Sequence, residues 1–305
     1  MKTIALGNST INASVISLGC WRLSQTTEHE AAELIDSALE YGINFFDNAD
    51  VYGGGQSEVM FADALKASGV KREDIFIQTK CGIGDRCYDF SKEHILNAVD
   101  GSLKRLRTDY LDVVLLHRPD PLMEPEEVAE AFDILHTTGK VRHFGVSNQN
   151  PSQIALLQRY VKQKLIANQL QFSIMHSGMI DRGINVNTNF DGAYDRDGGV
   201  LDYCSLHNIT VQAWSPFQYG VIEGVFLDNN KYPLLNETID RIAAEHNAKN
   251  TSIAIAWILR HPAKMQPIVG TTKKSRIPNI AKGAEITLNR REWYDIYLSA
   301  GNKLP

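Results

Sequence analysis

A closed barrel of eight parallel strands alternating with helices, a (β/α)8 or TIM barrel, is the fold class this sequence predicts, and two observations predict it. Short apolar runs end near Gly19, Asp47, Lys80, His117, Ser147, Gln171, Trp214 and Gly270, which supplies eight strand ends. The first five ends lie roughly 30 residues apart, the length of a strand with its crossover helix. A chain of 305 residues would suit two domains on size alone, yet one such barrel absorbs about 250 residues or more. No Pro/Ser-rich linker, low-complexity run or further repeat interrupts the series, so residues 1–305 read as a single domain.

The elements follow in order. MKTIALGNSTINASVISLG reads as two short strands around a Gly7-Asn8 turn, an N-terminal β-hairpin placed to plug the barrel bottom before the first barrel strand. EHEAAELIDSALEYG, behind Thr27, spaces Ala32, Leu34, Ile35 and Leu39 as a helix face and stops at Gly42. Glu126 to Thr138 is a second helix, ended by Gly139, and Ser152 to Tyr160 a third, started by Asn150 and Pro151. His176 to Gly199 and Gln218 to Tyr232 are Gly- and Asn-rich and longer than ordinary connections. They are expected as long loops at the C-terminal face, as lids or pocket walls, with Asn185, Asn187 and Asn189 as a polar wall or as turn formers.

Composition narrows the partners. Hydrophobic residues make up 43% and charged residues 22%, and no apolar run approaches the roughly 20 residues that span a bilayer, which points to a soluble protein. The N-terminus has no signal-peptide apolar core. A net charge of −5 with scattered Lys and Arg offers no footprint for nucleic acid, so a small molecule is the expected partner. Cys20, Cys81, Cys87 and Cys204 form no CxxC pair, so reduced thiols in the cytoplasm are expected, with Cys20 and Cys81 as small buried hydrophobes. The histidines show no HxH or HExxH spacing, so no catalytic metal is expected. Gly53 to Gly55 lacks the flanking pattern of a phosphate loop and reads as a turn. A monomer is the default.

Chemistry concentrates where strands end. FDNADVYG stops on Asp47 and sets Tyr52 just beyond, IFIQTK runs into Lys80, and DVVLLHRPD runs into His117. Each of these alone has a bland reading as a paired carboxylate, a rim aromatic or a core imidazole, but a lysine ending an apolar strand needs a partner. A phenol titrates near 10, so Tyr52 is a poor acid unless Lys80 stabilises the anion; each unit of lowering corresponds to about 1.4 kcal/mol. Asp47 would keep Lys80 charged, and a neutral His117 would orient and polarise the same carbonyl oxygen that Tyr52 protonates. No side chain supplies hydride, so a bound reduced cofactor is required. Lys80 as a Schiff-base nucleophile is the rival within enzymes, disfavoured because a neighbouring Asp47 keeps the amine protonated.

From GCW at Gly19 to the C-terminal helix, the sequence resembles the aldo-keto reductase superfamily, through FDNADVYGGGQSE, TKCG at Thr79, LLHRPD at Leu115 and GVSN at Gly145. The resemblance implies a (β/α)8 barrel that reduces aldehydes and ketones with NADPH, with Asp47, Tyr52, Lys80 and His117 as its catalytic tetrad. It implies Ser147, Asn148 and Gln169 at the nicotinamide carboxamide, Trp214 stacked on the ring, and Ser215 and Phe217 at the pyrophosphate. In PIVGTTKKSRIPNI it implies Gly270, Thr272, Lys273 and Arg276 at the adenosine half. A strand end feeding a helix start is a usual barrel phosphate site, and Lys273, Lys274 and Arg276 would suit a 2′-phosphate, hence NADPH/NADP+. The family's frequent Glu-Asn pair is Asn279-Ile280 here. Trp21 is expected to wall the substrate pocket. Some barrels of this family are regulatory subunits that sense cofactor with little turnover, which is the alternative function.

Overall fold

In the computed structural model, which describes residues 1–220 and 222–305, eight parallel strands close into one barrel. They are β3 (Ser17–Gly19), β4 (Phe45–Asp47), β5 (Phe76–Cys81), β6 (Leu111–Leu116), β7 (Val141–Ser147), β8 (Leu165–Gln171), β9 (Thr210–Trp214) and β12 (Gln266–Val269). β12 closes the ring by pairing with both β3 and β9. All eight predicted strand ends fall within one residue of a strand's last residue, Lys80 one before the end of β5 and His117 and Gly270 one beyond β6 and β12. Parallel strands covered on both faces need continuous apolar runs, and β6, LDVVLL, is buried at every position.

The helices form where caps start them. Thr27 and Glu30 make a reciprocal capping box at α1 (Glu28–Glu40), whose Ala31, Leu34, Ile35 and Ala38 are buried. α2 (Gln56–Ser68) and α3 (Lys92–Leu106) follow β4 and β5, and α4 (Pro125–Thr137) follows β6. α5 (Pro151–Tyr160) starts on an Asn150/Gln153 box with Pro at its first turn. α6 (Gly178–Ile184) and α7 (Val200–Leu206) lie between β8 and β9; α8 (Pro233–Glu245) and α9 (Asn250–Leu259) lie between β9 and β12. α10 (Ile277–Lys282) and α11 (Arg290–Ser299) close the chain. Among the described residues, no helix is long and apolar enough to cross a membrane.

The hairpin plugs the bottom as expected. β1 (Thr3–Ala5) pairs antiparallel with β2 (Asn12–Ser14), and Leu6, Ile11 and Ala13 pack with Phe45, Val113, Leu115, Ile166 and Ala167 in a separate apolar cluster. Gly7 sits at φ +52, where a Cβ would lie 2.2 Å from the Ile166 carbonyl oxygen, so only glycine fits this turn against the barrel.

The two long stretches part ways. Gln218–Tyr219 (β10) and Gly224–Val225 (β11) form a small ribbon in the second stretch, in which Val221 lies outside the described residues. Gln218, Ile222, Val225, Leu227 and Asp228 of that stretch line the cavity described below. The first stretch packs instead toward the C-terminus, where Tyr297 donates to Asp181 at 2.9 Å and Asn302 to Ser177 at 3.3 Å. Its Asn185 is buried and donates to the Asp181 carbonyl, and Asn187 adopts φ 60. The expected polar wall is therefore a set of turn formers, and no residue of 176–199 lines the cavity described below.

Candidate active site

Side chains in a strand alternate, so residues two apart share the barrel interior. In β4, Phe45 joins the bottom cluster while Asp47 faces the top; in β6, Val113 and Leu115 are at the bottom and His117 comes next on the same side. This parity makes the interior apolar below and ionisable above. The four predicted catalytic residues meet there, from β4, its loop, β5 and the end of β6.

Lys80 is fully buried, and its Nζ donates to Asp47 Oδ2 at 2.8 Å, the Asn48 carbonyl at 2.9 Å and Tyr52 Oη at 3.0 Å. Three acceptors occupy the three donors of an ammonium. Burial works against the charge, but Asp47 and Tyr52 together hold the lysine above its usual range. A protonated, fully bonded amine is no nucleophile, which removes the footing of the Schiff-base reading.

Tyr52 differs from expectation in its net balance. Burial raises its pKa most, Lys80 is the largest opposing influence, and the result lies above the ordinary phenol value. Lys80 thus offsets a desolvation penalty here and does not produce a net lowering. His117 is pushed well below the imidazole value by burial, helped by Lys80 and Arg118, so it is neutral near pH 7. Its ring meets Tyr52 edge-on at 5.8 Å between centroids, and its buried Nδ1 has no hydrogen-bond partner among the described residues.

Tyr52 and His117 open onto a cavity of about 600 Å³ that is also lined by Trp21, Ser147, Asn148, Gln169, Trp214, Ser215, Phe217, Gly270 and Arg276. Most of the predicted cofactor set therefore faces one space. Trp21 is 41% exposed, lies 6.3 Å from the Tyr52 ring and is held by Arg22, whose guanidinium sits over it at 4.7 Å and donates to the Gly270 carbonyl. Asn148 and Ser215 both adopt positive φ, 56 and 54, as the chain turns out of β7 and β9, and Trp214 Nε1 donates to Asn148 Oδ1 at 3.3 Å. Ser147 donates to the Gln169 carbonyl at 2.9 Å.

Thr272 and Lys273 fall outside the cavity lining, and Lys274 pairs with Glu33 of α1, so Arg276 alone of the predicted cations faces the space. Gln169 lines the cavity, yet its Nε2 donates to Asp47 Oδ1 at 2.9 Å. Sequence reasoning missed Arg22, Arg118, Ile222, Thr271 and Ile280 in the lining, and missed Glu58, whose buried carboxylate accepts from Thr79 at 2.6 Å and Arg105 at 2.7 Å. It also missed Gln78, Gln212 and Gln266, although each is a polar residue two positions before Lys80, Trp214 and Ile268, a parity readable from the strands. Cys20 and Cys81 are buried with their thiols pushed far up by burial, as small hydrophobes should be, and all four cysteines are free.

Comparison with known proteins bears on the fold and the family. The model of the Aldo/keto reductase family matches residues 15–297. An uncharacterized oxidoreductase of Bacillus subtilis is 37% identical over 92% of this chain and 91% of its own length. A 6-dehydroglucose reductase of Agrobacterium fabrum is 34% identical over 99% of both chains. A crystal structure of a thermostable aldo-keto reductase with the inhibitor epalrestat superposes with a TM-score of 0.79 at 25% identity, covering 98% of this chain and 100% of the other. With its barrel closed on a buried lysine between an aspartate and a tyrosine, and with a family match reaching from the first barrel strand into the last helix, this chain belongs to the aldo/keto reductase family.

Proposed function

We propose that this protein is an NADP(H)-dependent reductase of aldehydes or ketones in which Tyr52 is the general acid. The observation that carries the reading is the buried Lys80 ammonium, 3.0 Å from the Oη of Tyr52, which lines one cavity with His117. The residues present fit a dinucleotide. Tyr52 and His117 line the same space as Trp214 and Arg276, so one cavity offers a phenol, an imidazole, an aromatic face and a guanidinium. When bound, a reduced nicotinamide supplies the hydride that no side chain here can supply.

The chain's own part is proton delivery and charge control. Tyr52 gives its proton to the carbonyl oxygen, and the phenolate that forms is stabilised by Lys80, which Asp47 keeps charged. A neutral His117 donates a hydrogen bond to the same oxygen without repelling Lys80. Ser147, Asn148 and Gln169 would hold the carboxamide, and Trp214 the ring face. Ser215 and Phe217 would lie at the pyrophosphate, and Gly270, Thr272, Lys273 and Arg276 at the adenosine half. Arg276 is the cation for a 2′-phosphate and Trp21 a wall for substrate. The protein works as a single barrel domain in the cytoplasm, as a monomer.

The test is steady-state oxidation of NADPH across a panel of aldehydes, ketones and sugars, with NADH as the control. Tyr52→Phe is expected to lower reduction by roughly 100-fold to 10,000-fold while NADPH affinity stays nearly unchanged. Unaltered turnover in that variant would refute the acid assignment. A stable hetero-complex with negligible turnover would instead indicate a cofactor-sensing subunit.

A further inference from the structure

Under the catalytic residues, the barrel interior holds a chain of side-chain amides. Gln78 Nε2 donates to Asp47 Oδ1 at 2.6 Å and to Gln212 Oε1 at 2.9 Å. Gln169 Nε2 donates to the same two oxygens, at 2.9 Å and 3.4 Å. Gln212 Nε2 in turn donates to Gln266 Oε1 at 2.9 Å, and Gln266 Nε2 to the Ser14 carbonyl at 2.8 Å, at the end of β2. All four glutamines are buried, none more than 3% exposed. Barrel interiors are usually filled by branched aliphatic side chains, so this polar layer departs from what packing alone would select.

We propose that this amide chain is a positioning device, in which Gln212 aims Asp47 through Gln78 and Gln169 and so sets the contact between Lys80 and Tyr52. Gln212 itself does not line the cavity. Its Oε1 is the one acceptor that Gln78 and Gln169 share besides Asp47, so it fixes both amides with their nitrogens on Oδ1. Asp47 Oδ2 is then left facing Lys80, and Lys80 facing Tyr52. Amides do not titrate, so this support holds over the whole pH range in which the site works. Gln266 anchors the chain to the hairpin, which ties the plug at the bottom to the chemistry at the top.

The kinetic part of the test rests on Tyr52 being the acid; the structural part does not. Gln212→Leu removes the shared acceptor and leaves two buried amides free to turn. It is expected to lower kcat about 10-fold to 100-fold, because a small misplacement near the reacting atoms is penalised steeply. Its crystal structure is expected to show Asp47 rotated and the Lys80–Tyr52 hydrogen bond broken. Gln212→Glu carries a sharper signature. A protonated carboxyl accepts from Gln78 and Gln169 and donates to Gln266 as the amide does, and burial beside Asp47 raises its pKa. That variant should match wild type at low pH and lose activity as pH rises, a limb absent from wild type and from Gln212→Leu.

Should Gln212→Leu fail to fold, Gln212→Glu and the volume-matched Gln212→Met carry the same measurements. An intact Lys80–Tyr52 contact with kcat within about 2-fold of wild type, or a Gln212→Glu profile that overlays wild type, overturns the positioning role. A broken contact in a protein whose wild type reduces no carbonyl leaves the positioning role standing and removes the reductase reading. Brisk wild-type reduction with an unmoved contact does the reverse.

Discussion

Replacing Lys80 by methionine tests the electrostatics of the site most directly, because volume is nearly kept while one charge leaves. Lys80 Nζ lies 3.0 Å from Tyr52 Oη, and Coulomb's law at an effective dielectric of about 20 makes their interaction, once the phenolate forms, worth about 5 kcal/mol. Without Lys80, burial and Asp47 remain, and both hold the proton on Tyr52. Reduction of a reactive aldehyde should therefore fall about 1,000-fold to 10,000-fold in kcat, read by loss of NADPH absorbance. The same change strands the Asp47 carboxylate, 2% exposed, with only amide donors, which should reduce unfolding free energy by about 3–5 kcal/mol in urea titration. Adding Asp47→Asn to Lys80→Met removes the stranded charge, so the double variant should regain at least about 1 kcal/mol while staying inactive. A Lys80→Met protein within 10-fold of wild-type kcat, or a double variant no more stable than the single one, would sink the ion-pair argument on which the proposed mechanism stands.

Two further outcomes are expected. His117 has a native pKa well below the unfolded value near 6.5, so the unfolded chain binds more protons in that interval and stability falls as pH drops below about 6.5. His117→Gln should flatten this slope by up to about 1.4 kcal/mol per pH unit, measured by urea unfolding at several pH values; an unchanged slope would mean that the imidazole is not held neutral. Gly7→Ala should lose at least about 2 kcal/mol, since it combines a positive φ of +52 with a Cβ placed 2.2 Å from the Ile166 carbonyl. Full stability in that variant would show that the hairpin does not press on the barrel floor as described.

Much of this was legible in the sequence because barrels are made of local rules. Apolar runs at a repeating interval marked the strands, and Thr27, Asn150 and Pro151 marked helix starts, since caps and strand lengths are set by neighbours in the chain. The ionisable strand ends, Asp47, Lys80 and His117, were readable for the same reason: alternation puts the last inward residue of a parallel strand at the barrel top.

Other features depended on which surfaces met. The 176–199 stretch had the composition of a lid, yet Tyr297 and Asn302 hold it against the C-terminal end, away from the cavity, a choice made by contacts more than a hundred residues apart. Lys274 looked like a phosphate ligand until Glu33 of α1 was beside it. The glutamines of β5, β8, β9 and β12 are scattered through 189 positions of sequence and become one chain only when the barrel closes. Sequence alone therefore determined the barrel and the identity of its ionisable strand ends, whose pattern is short-ranged. Folding decided their electrostatic balance and the shape of the mouth, because desolvation and long-range pairing arise only when distant segments share a space.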